Sequence, residues 1–568
     1  MVARDSRWLT LFSTALGTAL LLGACGPAAP TTTAPAATTA PAAAAKPTDA
    51  PAAVPQGQAK PAATTAPAAA PTTAPAAKTG APVVLRMARN AEPGIFVPWL
   101  IDDNTALFTL GNVYDGLLRV TKDGAGVEPA LATKWETSAD GLTWTFSLRP
   151  GVKFSDGSPL TSNDVKVSLD LARGGQRTVW KDNYKAIKEI QTPDPMTVKI
   201  VLAAPHAPLL SELAMFPAWI MKADMATATD AKDYDDTKNW ASKGTGGYYT
   251  ESWKKGDPVI LKRNPNYWKN TPAVDEVRIE YVPDDNTRVL KLQGGEVDIV
   301  DFVPFSQIDQ LNAQPGLKAQ KFLIQQTTFV ILNVTKPPLN DVKVRQALNY
   351  ATDKEAIIKS VFFGQAQVMN APIPLGTYVD KSSPGYPFDL AKAKALMAES
   401  SVPSGFTLPM IVANNNQDRI NTAIILKDQW SKIGVTVDIQ QLEASAARAA
   451  TRGEGNFMSS PSAWTNDMND PTQIVNYEMR GGEGSGSFAY WTRYNNPELN
   501  DKITKADLEQ DPAKREAAYV EIQRIYLGDA PLVFIANLGA TAAWRSNVNG
   551  FLIDGLSYYR FEDVSLTK

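Results

Sequence analysis

Between Pro27 and Pro82 the chain is built almost entirely of Ala, Pro and Thr. Such a stretch lacks bulky apolar side chains and cannot offset the entropy of ordering its backbone. It reads as a disordered tether, so ordered structure is expected to begin near Val83. Extended as polyproline II, the tether reaches on the order of 170 Å at ~3.1 Å per residue. At 568 residues, the length of the whole chain suggests two to four domains.

Arg4 and Arg7 precede an apolar run, Leu9–Gly23, that ends in the small residues Gly23 and Ala24. The run falls short of the roughly twenty residues of a spanning helix and has the order of a secretory signal. Cys25 follows at once and is the only cysteine, which excludes an internal disulfide framework. Leu22-Gly23-Ala24-Cys25 resembles the lipobox of bacterial lipoproteins. That resemblance implies a signal peptide over 1–24, acylation of Cys25 as the mature N-terminus, and a tether over 25–82. The rival readings are an ordinary signal peptide, or an uncleaved anchor with an incidental cysteine. Two or more acyl chains, at about 0.8 kcal/mol per buried methylene, hold a protein stably on a membrane.

Charge and chemistry narrow the function. The formal charge is −3 and 20% of residues are charged, so no basic field recommends a nucleic acid. The single histidine, His206, lies in "AAPHAPLL", a loop between prolines. His-rich zinc sites and an HExxH motif are thereby excluded. A Ser-His-Asp triad would have to recruit this one imidazole, and no G-x-S-x-G elbow accompanies it. "GTGGYY" (244–249) and "GGEGSG" (481–486) fit neither the phosphate-loop nor the dinucleotide pattern. A paired-carboxylate glycosidase stays open, because sequence spacing does not report such pairing. The balance favours a protein that is not an enzyme and needs no cofactor or metal.

The globular part has the grammar of α/β layers. "VVLRMA" reads as a first strand. "LTWTFSLRPGVKF" puts Leu142, Trp144, Phe146 and Leu148 on one face before Gly151, and reads as a hairpin turning there. Val198, Ile200 and Leu202 alternate, as do Val277, Ile279 and Tyr281. Asp353 is an expected N-cap and Gly364 an expected stop. "RINTAIILKDQWSKIGVTVDIQ" reads as a helix ending at Gly434, then a strand with Val435, Val437 and Ile439. "DPAKREAAYVEIQRIYLGDAPLVFIAN" repeats helix then strand.

Four blocks, 128–169, 244–300, 339–366 and 494–531, together resemble the extracytoplasmic solute-binding proteins of family 5, which serve peptide- and nickel-type ABC transporters. The most specific is "EPALATKWETSADGLTWTFSLRPGVKFSDGSPLTSNDVKVSL". Most residues in these blocks also have plain structural roles: Asp156-Gly157 suits a tight turn, and Gly294-Gly295 a helix end before "VDIV". The resemblance implies an α/β, two-lobed periplasmic-binding-protein-like fold (type II, large three-domain cluster) with a hinge between lobes. It places lobe I at 83–126, 240–330 and 536–568, an inserted domain at 127–239, and lobe II at 331–535. It implies a monomeric receptor that captures peptides, most simply oligopeptides, in the interlobe cleft. It delivers them to a membrane permease with cytoplasmic ATPase subunits, while lipid on Cys25 keeps it on the outer side of the cell membrane.

The same resemblance assigns candidate ligand contacts. "SAWTNDMNDPTQ" (462–473) matches the segment whose Asp binds a peptide ammonium, which here is Asp467, flanked by Trp464 and Asn466. The bland alternative is that Asp467 caps a turn. Dipeptide-binding relatives place an arginine for the ligand carboxylate where this chain has Ala413; Arg419 lies further along, on the expected helix. Asn414, Asn415 and Asn416 offer neutral donors and acceptors instead, which suits a longer peptide read through its backbone, or a sugar. Trp464, Tyr490, Trp491 and Trp99 are candidate aromatic platforms for an oligosaccharide. A chelated metal is a lesser alternative. A secreted hydrolase on this scaffold is the rival from another class.

Overall fold

A computed structural model describes residues 81–567 apart from 102–104, 175–179, 227–242, 375, 377, 454, 484 and 488–490. The expected signal peptide, Cys25, the tether and Tyr490 lie outside the described residues. Among the described residues no helix is long and apolar enough to cross a membrane.

The first strand, Val84–Arg89, sits inside a seven-stranded sheet and pairs in parallel with Glu276–Tyr281 on one side and Ile299–Asp301 on the other. Leu85 and Met87 face one apolar cluster and Ala88 another, as expected of an interior strand covered on both faces. Arg89 is fully buried at the strand's end. Its Nε donates to Asp301 Oδ2 at 2.7 Å, and the Tyr559 hydroxyl donates to the same carboxylate. Three distant stretches of chain are therefore joined at one charge pair. A buried pair of this kind costs several kcal/mol if one partner is removed.

A four-stranded sheet is formed by Ala132–Thr137, Thr143–Leu148, Thr197–Leu202 and Ile187–Asp194. Here the hairpin expectation is corrected. Thr143–Leu148 pairs with Ala132–Thr137 before it and with Thr197–Leu202, not with residues after Gly151. The returning turn is Ser138–Gly141, where Asp140 Oδ1 accepts from the Leu142 N–H at 3.0 Å. Alternation shows which face of a strand is buried and is silent about its partner. Phe146, Val198 and Ile200 join the same apolar cluster as Leu85 and Val277, so this sheet shares a core with the first lobe.

The second lobe holds a six-stranded sheet in the order Gln367–Val368, Leu532–Asn537, Gln326–Leu332, Ser459–Thr465, Phe406–Ala413, Val435–Leu442. Along Gln326–Leu332 the period-two pattern divides the core. Val330 and Leu332 face one cluster, whereas Phe329 and Ile331 face another. Phe406–Ala413 and Val435–Leu442 run in parallel, joined by the helix Gln417–Ser431. Asn416 caps that helix, its side chain accepting from the Arg419 N–H at 3.0 Å.

The chain crosses between the two large sheets at 323–325 and again at 538–539. Gln326–Leu332 thus belongs wholly to the second sheet, a few residues earlier than a boundary at 330. At the second crossing Gly539 has φ +72°, and a Cβ there would meet the Phe322 carbonyl oxygen at 2.5 Å. Only glycine lets the two connections pass this closely.

Candidate functional site

Open α/β sheets bind ligands beyond the carboxyl ends of their parallel strands. In this protein those ends are Ala413 and Leu442, closed by a hydrogen bond from the Asn414 N–H to the Leu442 carbonyl at 2.8 Å. Beyond them lies a cavity of about 590 Å³, within the 300–1,000 Å³ usual for small-molecule sites. Its floor is the strand segment Ser460–Trp464, and Asn415, Asn416 and Arg419 lead into it from the start of helix Gln417–Ser431. Arg448, on helix Ala444–Thr451, lines another side. Trp180 comes from the first lobe's apolar cluster, its Nε1 donating to the Ile101 carbonyl at 2.6 Å.

The aromatic wall is ordered by ring contacts. Trp464 stacks on Tyr477 with centroids 5.1 Å apart and meets Trp491 edge-on at 5.5 Å. Tyr477 sits in the π-turn Val475–Met479, a local widening of helix that re-aims side chains. Trp464 Nε1 donates to Asn466 Oδ1 at 2.9 Å, so the indole is fixed in plane as well as in stacking. Trp491 Nε1 is buried with no acceptor among the described residues.

Asp467 follows three residues after Trp464 and is buried. Gln473 holds it: Nε2 donates to Asp467 Oδ2 at 2.9 Å, and Oε1 accepts from the Asp467 N–H at 2.7 Å. Among the described residues no cation pairs with it. Burial therefore pushes the carboxyl up to about 7, outweighing the Gln473 hydrogen bond that pulls the other way. The capping role belongs to Asp470 instead. Its Oδ1 accepts from the Thr472 N–H at 2.9 Å, and Arg515 binds both oxygens at 2.5 and 2.8 Å. Burial opposes ionisation of Asp470 too, but Arg515 outweighs it and the carboxyl stays below its ordinary value.

The cavity's own charges are cationic. Arg419, Arg448 and Arg452 line it, and no Asp or Glu does among the described lining residues. Burial lowers the Arg419 pKa, and no anion among the described residues restores it. Among the described residues no group of three or more His, Cys, Asp or Glu is arranged to hold a metal ion.

The family model described as "Bacterial extracellular solute-binding proteins, family 5 Middle" matches residues 126–486. The chain belongs to family 5 of the bacterial extracellular solute-binding proteins. Glutathione-binding protein GsiB of Pectobacterium atrosepticum is 30% identical over 482 residues, which is 83% of this chain and 92% of the relative. Heme-binding protein A of Haemophilus influenzae is 29% identical over 497 residues, 83% of this chain and 90% of the relative. The ABC transporter-associated periplasmic binding protein DppA of Helicobacter pylori, solved with the peptide STSA, superposes with a TM-score of 0.72. It is 28% identical and covers 85% of this chain and 98% of its own. Fold and family agree: this family 5 protein has the two-lobed α/β architecture of periplasmic binding proteins and a solute-binding role.

Of the residues singled out by sequence, Trp464, Trp491, Asn415 and Asn416 meet at the cavity of this family 5 protein. Asn414 is exposed and does not line it. Asn466 and Asp467 are buried and are not lining residues, their side chains tied to Trp464 and Gln473 respectively. Trp99 is fully buried in the first lobe's core and presents no surface to a solute, so the platform expected of it is corrected to a packing role. Trp180, Tyr477 and Arg448 were not legible as site residues: Trp180 arrives from the first lobe, and the sequence does not report which faces of Ala444–Thr451 and Val475–Met479 turn to the strand Ser459–Thr465. Arg419 was legible as an arginine displaced from the familiar position; its helix places it in the cavity wall rather than away from it.

Proposed function

We propose that this protein is the receptor of an ABC-type importer for short peptides. It binds its cargo without chemical change and passes it to a permease served by cytoplasmic ATPases. The observation that carries this reading is a ligand-sized cavity at the ends of parallel strands, walled by the stacked Trp464–Tyr477 pair, with a buried carboxyl, Asp467, three residues beyond Trp464 that has no cation among the described residues. A peptide ammonium supplies that cation. The resulting charge-assisted hydrogen bond contributes roughly 1.5–3 kcal/mol. Lipid on Cys25 holds the receptor outside the membrane, and 25–82 is its tether.

The test is a thermal shift with a mixed pool of short peptides, which raises Tm through RT ln(1 + [L]/Kd). Asp467→Asn then weakens peptides with a free amino end and spares their N-acetylated forms. The aromatic wall of Trp464, Tyr477 and Trp491 favours one second reading, an oligosaccharide stacked on the indoles. A shift with cello- or xylo-oligosaccharides and none with peptides selects it. Steady release of a cleaved product selects a hydrolase.

A further inference from the structure

The cationic side of the cavity calls for an anion. Arg419 cannot shed its proton, is half-buried, and makes no ion pair or hydrogen bond through its guanidinium among the described residues. Arg448, on a different helix, lines the same cavity and is equally without a partner among the described residues. An uncompensated charge withdrawn from water destabilises a fold, so an unpaired guanidinium facing a cavity is a group awaiting its counter-ion. Its neighbour in sequence, Asp418, does not fill that role: it makes no ion pair with Arg419 and does not line the cavity. The fifteen-residue helix Gln417–Ser431 begins at the same wall and adds the positive end of its dipole. The planar fork of an arginine matches a carboxylate in two parallel hydrogen bonds, a geometry that neutral amides and sugar hydroxyls do not offer.

We propose that the solute carries a carboxylate and that Arg419 receives it, with Arg448 adding longer-range attraction from a second helix. This rests on reading the cavity as the solute site. For a peptide, the group is its C-terminus or an acidic side chain. The contact takes the place of the one that the resemblance to dipeptide-binding relatives assigns to the position of Ala413, six residues before Arg419.

The test is calorimetry on the purified full chain with a defined pool of tri- and tetrapeptides of neutral side chains, prepared once as free acids and once as carboxamides. Glutarate and adipate serve as carboxylates without a peptide. Free acids bind about 10- to 100-fold more tightly than carboxamides. Arg419→Gln removes that difference and Arg419→Lys restores part of it. Arg448→Gln weakens binding only severalfold, and less at high salt because it is exposed. Arg419→Gln without ligand melts no lower than the parent, since it deletes an uncompensated charge; this separates a binding role from a structural one. Equal affinity for acid and carboxamide, or an acid preference that survives Arg419→Gln, overturns the inference and leaves the peptide reading standing. Binding of glutarate or adipate that depends on Arg419, with no peptide bound, overturns the peptide reading and upholds the inference. No binding by any of these probes overturns both.

Discussion

Gln473 grips Asp467 at two points, donating from Nε2 to the carboxylate and accepting from the Asp467 backbone N–H at Oε1. The carboxyl is thereby fixed in place, and no charge among the described residues opposes its own. Its pKa rises from 3.8 to about 7 through burial. A raised acid favours the protonated folded state, so its stabilising contribution is complete below about pH 4 and is lost as pH climbs toward 7 and beyond. Without ligand, Asp467→Asn matches the parent near pH 4 and exceeds it at pH 8, by up to about 4 kcal/mol. Denaturant titrations at the two pH values check this.

Ligand reverses the sense of that titration. A free-amino peptide pairs with the ionised carboxyl, so its affinity rises from pH 5 to 7.5 while that of the N-acetylated peptide stays level. Binding near pH 6 releases a proton from Asp467. Calorimetry in two buffers of different ionisation enthalpy detects the release, and Asp467→Asn abolishes it.

The lobes also touch at the single histidine. His206 Nε2 lies 2.8 Å from Glu212 Oε2, and the neighbouring Ala207 N–H donates to the Asp507 carbonyl of the second lobe at 3.2 Å. Burial lowers the imidazole pKa, but Glu212, Asp507 and Asp470 outweigh it and the net shift is upward from 6.5. Those two aspartates have cationic partners of their own, Arg480 on Asp507 and Arg515 on Asp470. Burial raises Glu212 as well. The His206 contribution is therefore complete below pH 6.5 and fades as pH rises through the raised value. His206→Gln costs about 1–3 kcal/mol at pH 5.5 and less at pH 9, read by thermal melts.

Arg515 ties the helix Pro512–Asp529 to the loop that carries Asp467, through both oxygens of Asp470. Arg515→Leu leaves Asp470 buried and unpaired and costs about 3–5 kcal/mol. Arg515→Leu combined with Asp470→Leu recovers much of that loss. Denaturant midpoints of the two variants decide it.

Gly539→Ala tests the crossing between sheets. A methyl group would strike the Phe322 carbonyl at a positive φ, at a cost of about 1–3 kcal/mol. Gly151→Ala, with a positive φ but open space around it, costs less because strain there has no clash added.

Much of this scaffold is legible in the sequence where local chemistry decides. Asp353 caps its helix by accepting from the Ala356 N–H, and Gly295 ends another at φ +76°. Val435 and Val437 are buried as their alternation requires. The partner of Thr143–Leu148 was not legible, because period two fixes a strand's faces and leaves its neighbours to tertiary packing. Trp99 misleads for a related reason: an indole in a core and an indole on a ligand shelf look alike until their surroundings are known. The cavity's cations were the hardest to read, since Arg419 and Arg448 lie on separate helices and only the parallel strand pair brings those helices to one cavity.

The central claim is that the cavity holds a solute and lets it go unaltered. Native mass spectrometry of the full chain, incubated with a peptide pool and then denatured, tests it directly. The account predicts one peptide per chain, released at its original mass, with Asp467→Asn and Arg419→Gln each reducing the bound fraction. A bound species of altered mass, or a chain that retains nothing from the pool, contradicts it.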